Sequence, residues 1–214
     1  MQGAVIRRAH GLAALWLGCC SLMLGGCAIF QQPGSSGPPA RQGSPNVDRY
    51  EQRRQDLLRV REWSLQARVA TGGLIGWTGN LRWKQAGETF DLVIGGPLGG
   101  GLRAQGVPDR VLVTTSEGSF ETHDPESFFE RELGWRFPLT RLRFWSLGVP
   151  DPRLPSSRLF VDEIGLARDF TQDGWRIQYA DYVDVHGRYL PASFSLSNGE
   201  KTVRVVIDNW LRIG

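Results

Sequence analysis

The sequence predicts a mainly β domain: a single curved antiparallel sheet forming an unclosed half barrel, with a few α-helices covering its concave face and an apolar cavity beneath them. Three observations carry this. Period-two alternation recurs from Ser64 to the end of the chain, and the connections are too short for parallel crossovers. Helical spacing is confined to one segment before the strands and two short segments in the middle. The strands offer many apolar inward positions to few covering helices, and a half-closed barrel with a lid leaves a cavity that holds ligands.

The first 26 residues read as a lipoprotein signal peptide. Arg7 and Arg8 form a positive start, and Gly11 to Leu24 is an uncharged apolar run too short for a comfortable membrane span. Leu24-Gly25-Gly26-Cys27 follows, with an aliphatic residue at −3, small residues at −2 and −1, and cysteine at +1. That pattern resembles a bacterial lipobox, whereas Cys19 has Trp16 at −3 and Cys20 has Cys19 at −1. Cleavage leaves Cys27 as the lone cysteine, so no internal disulfide forms and its sulfur is expected to carry lipid. A thioether-linked diacylglycerol plus an N-acyl chain exceeds the two-signal threshold for stable anchoring. Ala28, where inner-membrane lipoproteins usually carry Asp, favours the periplasmic face of the outer membrane.

Residues 27–45 are expected to be anchor and tether, since Gln31 to Ser44 lacks aliphatic and aromatic side chains and is dense in Pro, Gly and Ser. The folded domain is expected over 46–214. Asn46 to Arg61 reads as a helix capped by Asn46, with Tyr50, Leu57 and Leu58 on one side. Leu65, Ala67 and Val69, then Trp77, Gly79, Leu81 and Trp83, then Phe90, Leu92 and Ile94 mark the inward faces of three strands. Hairpins follow at Leu102–Val107 and Arg110–Thr115, with a short strand at Ser119–Thr122. Asp124-Pro125-Glu126 starts a helix bearing Phe129 and Leu133, and Pro138 starts another bearing Leu139, Leu142 and Trp145. Five strands close the chain: Leu159–Ile164, Leu166–Gln172, Trp175–Tyr182, Arg188–Leu196 and Thr202–Leu211.

Between the third and fourth strands lies Gly95-Gly96-Pro97-Leu98-Gly99-Gly100-Gly101. A proline and several glycines hold up one large apolar side chain, Leu98. Two readings stand: an apolar tip that works on lipid, or a hairpin loop whose leucine folds back on the core. A phosphate loop is disfavoured, because strand rather than helix follows Gly101 and neither GxxxxGK[ST] nor a correctly spaced GxGxxG is present.

Catalytic groupings do not emerge. His123 and His186 are isolated, GxSxG and HExxH are missing, and Asp162, Glu163 and Asp169 are scattered near strand ends. No metal or cofactor is expected, nor an enzyme. The formal charge of +3 includes Arg7 and Arg8, and no basic cluster interleaves with aromatics, which argues against nucleic acid.

The order and spacing of several strings resemble the LolB outer-membrane lipoprotein receptor family from about Trp63 to Trp210. They are Leu81-x-Trp83-x-Gln85 with Phe90-x-Leu92, Pro97-Leu98-Gly99, Leu133-Gly134 with Pro138-Leu139, and Trp145-x-x-Gly148-x-Pro150. Gln172-Asp173-Gly174-Trp175 with Tyr179, Leu190-Pro191 and Asn209-Trp210 complete the set. The resemblance implies a non-catalytic receptor that takes triacylated lipoprotein cargo from a LolA-like periplasmic carrier and places it in outer-membrane lipid. It implies that Pro97, Leu98 and Gly99 form the membrane-insertion loop, though with extra glycines around them. A monomer is expected. The acyl-chain cavity candidates are Leu81, Trp83, Phe90, Leu92, Ile94, Phe129, Leu133, Leu142 and Trp145; the same stripes fit a solid core equally well. The rival classes are a structural envelope lipoprotein that binds a protein through its sheet edge, and an envelope hydrolase.

Overall fold

The computed structural model describes residues 44–72, 77–96, 101–133 and 136–214, with the side chains of residues 132 and 133 also outside the description. Cys27, Pro97, Leu98 and Gly99, the signal peptide and the tether therefore lie outside the described residues, as does the side chain of Leu133.

The elements run α1 (Pro45–Leu58), β1 (Glu62–Thr71), β2 (Trp77–Ala86), β3 (Thr89–Gly95), β4 (Gly101–Val107), β5 (Arg110–Thr115), β6 (Gly118–Thr122), α2 (Pro125–Leu133), α3 (Leu139–Trp145), β7 (Ser156–Val161), β8 (Ala167–Gln172), β9 (Trp175–Val185), β10 (Arg188–Ser197) and β11 (Thr202–Ile213). All eleven strands form one antiparallel sheet in the order β6-β5-β4-β3-β2-β1-β11-β10-β9-β8-β7. The first and last strands of the sequence meet in its middle, and β6 and β7 are free edges, so the barrel stays open. Register shifts between β1 and β11, at Ser64/Leu65 and Gln66/Ala67, and between β9 and β10 around Pro191 and Ser193 add local twist and bend the sheet.

Alternation sets the faces. Leu65, Ala67, Val69, Leu81, Trp83, Phe90, Leu92 and Ile94 are buried on the concave side, while Arg68, Arg82, Lys84 and Asp91 face outward. Trp77 departs from the expected inward row. It is exposed, and its indole lies over Gly79, where an added Cβ would sit 2.3 Å from the ring. Two aromatic chains stiffen the concave side. Trp63 packs on Trp83 and Trp210 at centroid distances of 5.3 and 5.8 Å, and Tyr179 packs on Phe170, Tyr182 and Phe194 at 5.7–6.1 Å.

The strand ends define two rims. The β1–β2, β3–β4, β5–β6, β8–β9 and β10–β11 connections share one; the β2–β3, β4–β5, β7–β8 and β9–β10 connections share the other. Helix α1 lies across the second rim. At its C-terminal end the Arg61 carbonyl accepts from Gly87 N at 2.7 Å, and Arg61 N donates to Gly214 O at 3.1 Å. At its start the helix begins one residue earlier than expected, with Ser44 O accepting from Val47 N at 2.7 Å. Asn46 therefore does not cap; its side-chain amide donates to Val161 O at 3.4 Å. Gly165 in the β7–β8 turn, at φ +86°, lets this end come close: a Cβ there would lie 2.8 Å from Arg49 Cβ.

The remaining boundaries differ by a few residues. β1 starts at Glu62, and β7 starts at Ser156 and ends at Val161, because Arg158 adopts a left-handed conformation (φ 55°) that breaks alternation just before Leu159. The two-residue turns Asp173-Gly174 and His186-Gly187 have positive φ at both positions, as type I′ hairpins require.

Candidate functional site

The concave face and the two helices over it form the candidate site. Asp124 starts α2 as expected: its carboxylate accepts from Ser127 Oγ at 2.6 Å and Ser127 N at 3.0 Å, bonds that hold its pKa below the ordinary carboxylate range. The helix then carries Phe128 and Phe129 inward, where both are buried. Phe129 meets Phe137 edge-on at 5.6 Å and Phe128 meets Phe120 at 5.9 Å, so α2 packs on the β6 end of the sheet. Helix α3 buries Leu139, Leu142 and Trp145. Its anchorage is polar at the far side: Trp145 Nε1 donates to Gln172 Oε1 at 2.8 Å, and the Tyr179 hydroxyl donates to Trp145 O at 2.7 Å. Gln172 also accepts from Asp151 N at 2.8 Å and donates to Asp151 O and Leu154 O at 2.9 and 3.0 Å, so every arm of this buried amide is used. Burial raises the Tyr179 phenol well above its ordinary range.

Leu81, Trp83, Phe90, Leu92, Ile94, Phe129, Leu142 and Trp145 are thus brought together in one continuous apolar cluster. Each of them is nearly inaccessible to solvent. The gap bordered by Trp83, Phe90, Leu139 and Thr140 holds only about 10 Å³, and a second, at the α1 rim among Leu57, Trp63, Phe144 and Leu147, about 70 Å³. Larger hollows of about 430 and 320 Å³ involve outward residues such as Gln66, Arg82 and Asp208, or Arg68, Thr78 and Arg204.

What the sequence reading missed is the clasp that holds α2 to α3. Glu126 is more than a first-turn acid that suits the helix dipole. Its side chain is 7% exposed and accepts from Arg136 Nε at 3.2 Å, Thr140 Oγ1 at 2.8 Å and Arg141 Nη1. Arg141 reaches on to Asp173 in the β8–β9 turn at 2.9 Å. One carboxylate and one guanidinium therefore connect α2, α3 and the far half of the sheet. On the other side of α3, Arg143 pairs with Glu88 at 3.0 Å and lies over Phe144. The only hint in the sequence was three arginines within 136–143, with no acid between them and the nearest, Glu130 and Glu132, on the preceding helix.

Groups that a hydrolase would use are engaged elsewhere. Asp162 accepts from Ile164 N, Leu166 N and Arg168 Nε, all at 2.9–3.1 Å, and Asp169 pairs with Arg176. His123 Nδ1 donates to Asp109 O at 2.7 Å, and His186 occupies a left-handed turn position. Among the described residues no group of three His, Cys, Asp or Glu is placed to hold a metal ion.

The sequence profile described as Outer membrane lipoprotein LolB matches residues 61–210, most of the sheet and both covering helices. The chain belongs to the LolB family. Curated LolB relatives agree over nearly their whole length. The outer-membrane lipoprotein LolB of Nitrosococcus oceani is 33% identical over 88% of this chain and 92% of its own, and that of Alkalilimnicola ehrlichii is 33% identical over 90% and 94%. A LolA superfamily protein from Nitrosomonas europaea aligns with a TM-score of 0.49 and 8% identity, covering 78% of this chain and 93% of that one. The profile spans the Glu126 clasp, the β3–β4 connection, β1 to β10 and β11 as far as Trp210.

Proposed function

We propose that the protein is a non-catalytic receptor, anchored in the outer membrane through lipid on Cys27, that accepts triacylated lipoproteins from a LolA-like carrier and delivers them to the bilayer. Membership of the LolB family supports a role in outer-membrane lipoprotein handling. The observation that carries the finer reading is the bowl: an aromatic, largely apolar concave face, interrupted by the hydrogen-bonded amides of Gln85 and Gln172, covered by two short helices that a buried carboxylate clasps together.

The physical need is large. An acyl chain costs about 0.8 kcal/mol per exposed CH₂, so three long chains cost tens of kcal/mol in water. Acyl chains enter as α2 and α3 swing away, replacing contacts of Phe129, Leu142 and Trp145 with contacts to lipid. No nucleotide site is needed: cargo moves from weaker to stronger apolar surroundings and finally to the bilayer.

Mixing the protein lacking the Cys27 lipid with carrier-bound triacylated lipoprotein tests this, with cargo expected to co-purify with the protein. Cargo that stays on the carrier sinks the receptor reading. Leu98, on the β3–β4 connection, is assigned to the insertion step. A Leu98→Glu variant is expected to accept cargo and fail to release it into membrane, and normal insertion by that variant removes the role given to the loop. The rival of a sheet-edge protein binder is disfavoured at β7, where the bulge at Arg158 disrupts the edge.

A further inference from the structure

The rim opposite the β3–β4 connection carries an apolar patch that cargo handling does not use. Phe160, near the end of β7, is 62% exposed, and Ile164, in the β7–β8 turn, is 57% exposed. They flank a shallow concavity of about 620 Å³ that also takes in Asn46, Val161, Asp162 and Glu163. Val47, in the first turn of α1, adds another exposed apolar side chain beside Asn46. The patch has a fixed frame. The Asp162 carboxylate ties the turn to Arg168, Asn46 reaches Val161 O, and Gly165 permits the close seat of α1 on the turn.

Three observations decide what covers it. The described fold begins at Ser44, beside this patch, so the segment leading back to Cys27 joins the body here rather than at the other rim. β7 is an edge strand whose register breaks on both sides of Phe160, with Arg158 at φ 55°, and bulged edges resist addition of another strand. This argues against a second copy pairing there. Finally, no basic side chain lines the concavity, and of its two acids Asp162 is already paired with Arg168, so contact with lipid rests on the exposed Phe160 and Ile164 rather than on charge.

We propose that this rim rests on the lipid bilayer to which the chain is anchored, with Phe160 and Ile164 in the interfacial layer. The rim bearing the β3–β4 connection then faces the periplasm and the carrier until cargo is aboard. The proposal rests on the anchoring half of the receptor reading. It gives the tether a mechanical task. β1 alone is about 33 Å long at ~3.3 Å per residue, so the Leu98 rim stands roughly that far from the membrane in the docked pose. The roughly 17 residues from Cys27 to Ser44 reach at most about 60 Å, which is enough for the body to turn over and bring Leu98 to the lipid.

The test uses the full lipidated chain in vesicles of phosphatidylethanolamine and phosphatidylglycerol carrying nitroxide-labelled lipid. The mature chain has no free thiol once Cys27 is acylated, because Cys19 and Cys20 precede it. A Glu163→Cys variant therefore accepts an environment-sensitive fluorophore at the patch, leaving Phe160 and Ile164 in place. Glu117→Cys, in the β5–β6 turn on the opposite rim, is the control. Quenching is expected at position 163 well above that at 117, and the added pair Phe160→Asn and Ile164→Asn is expected to bring it down to the control level. Equal or weaker quenching at 163, or quenching that survives the paired substitution, overturns the proposal. A concentration-dependent blue shift of the 163 label without vesicles reports a second copy instead and overturns it as well. Sedimentation and cargo transfer in the same samples separate the failures. A chain that does not sediment with vesicles overturns the anchoring, whereas sedimenting, transfer-competent protein with an unquenched label overturns this rim alone.

Discussion

Glu126→Gln is the substitution that most directly probes how the helices are held over the bowl. The side chain is nearly inaccessible and accepts from Arg136, Thr140 and Arg141. Glutamine keeps the shape and one acceptor oxygen, turns the other into an N–H₂ that faces a donor, and removes the negative charge that pairs with both arginines, at a loss of about 1 kcal/mol for each arginine contact. The two losses are unequal. Arg136 is 57% exposed and recovers most of its share from water, while Arg141 is 21% exposed and keeps only Asp173 and the Thr140 hydroxyl. The net cost is about 1.5 kcal/mol, on the order of a tenfold shift in the equilibrium between helices seated and helices displaced. Urea unfolding is expected to show the lost stability. Titration with a fluorescent fatty-acyl probe is expected to show affinity raised by up to about tenfold, because opening costs less. If stability falls by this amount while probe affinity stays the same or weakens, the helices are not a cover over an acyl site and the argument fails. Arg136→Gln, at the exposed end of the same network, is expected to change either quantity only slightly.

Two further outcomes follow from the same structure. Deleting Gln31–Gln42 leaves about five residues of tether with a reach of about 18 Å, so cargo uptake is expected to persist while Leu98-dependent insertion by the anchored protein is lost; normal insertion by the shortened protein contradicts the turn-over of the body. Burial raises the phenols of Tyr50, Tyr179 and Tyr182, so the folded chain holds these protons more tightly than the unfolded one. That stabilisation is complete below pH about 10 and disappears as pH rises beyond it. Near-ultraviolet circular dichroism and tyrosinate absorbance are expected to change together in one steep alkaline step, and gradual ionisation of all the tyrosines with an unchanged dichroism spectrum refutes it.

Much of this architecture is legible in the sequence, because the alternation of Leu65, Ala67 and Val69, of Leu81 and Trp83, and of Phe90, Leu92 and Ile94 reports burial on one face directly. Asp173-Gly174 and His186-Gly187 are legible for a similar reason: each must adopt left-handed backbone at both positions, and composition announces it. The misses occur where one residue answers to distant partners. Asn46 is chemically a good cap, yet Val161 O lies within reach of its amide, and the helix starts at Pro45 instead. Arg158 is an ordinary strand residue by type; only the sheet edge and the register break make it left-handed. Glu126 satisfies a helix-start rule so well that nothing in the local sequence asks for another role. The sequence separations to Arg136, Thr140, Arg141 and Asp173 are bridged only once α3 folds back over α2 and the β8–β9 turn comes alongside.

The packing of the bowl bears on how a receptor of this kind can release what it binds. Under the proposed function, the apolar surface offered to an acyl chain is the surface that Phe129, Leu142 and Trp145 cover in its absence, so the affinity for lipid is a difference between two burials rather than the whole of one. A permanently open cavity gains nearly the full transfer free energy of each chain and competes with the bilayer for it. A cavity that must first give up a packed core and a buried clasp gains less, and the bilayer then remains the deeper well. Under the proposed function, the buried apolar cluster, the short helices and the Glu126 clasp thus serve one requirement: binding strong enough to take cargo from a carrier and weak enough to lose it to membrane. On this argument a receptor with bulky side chains removed from the helices binds acyl probes more tightly and delivers them more slowly. A Phe129→Ala variant is expected to combine faster uptake from the carrier with delayed appearance of cargo in vesicles. Faster delivery from that variant excludes intermediate affinity as the principle of transfer.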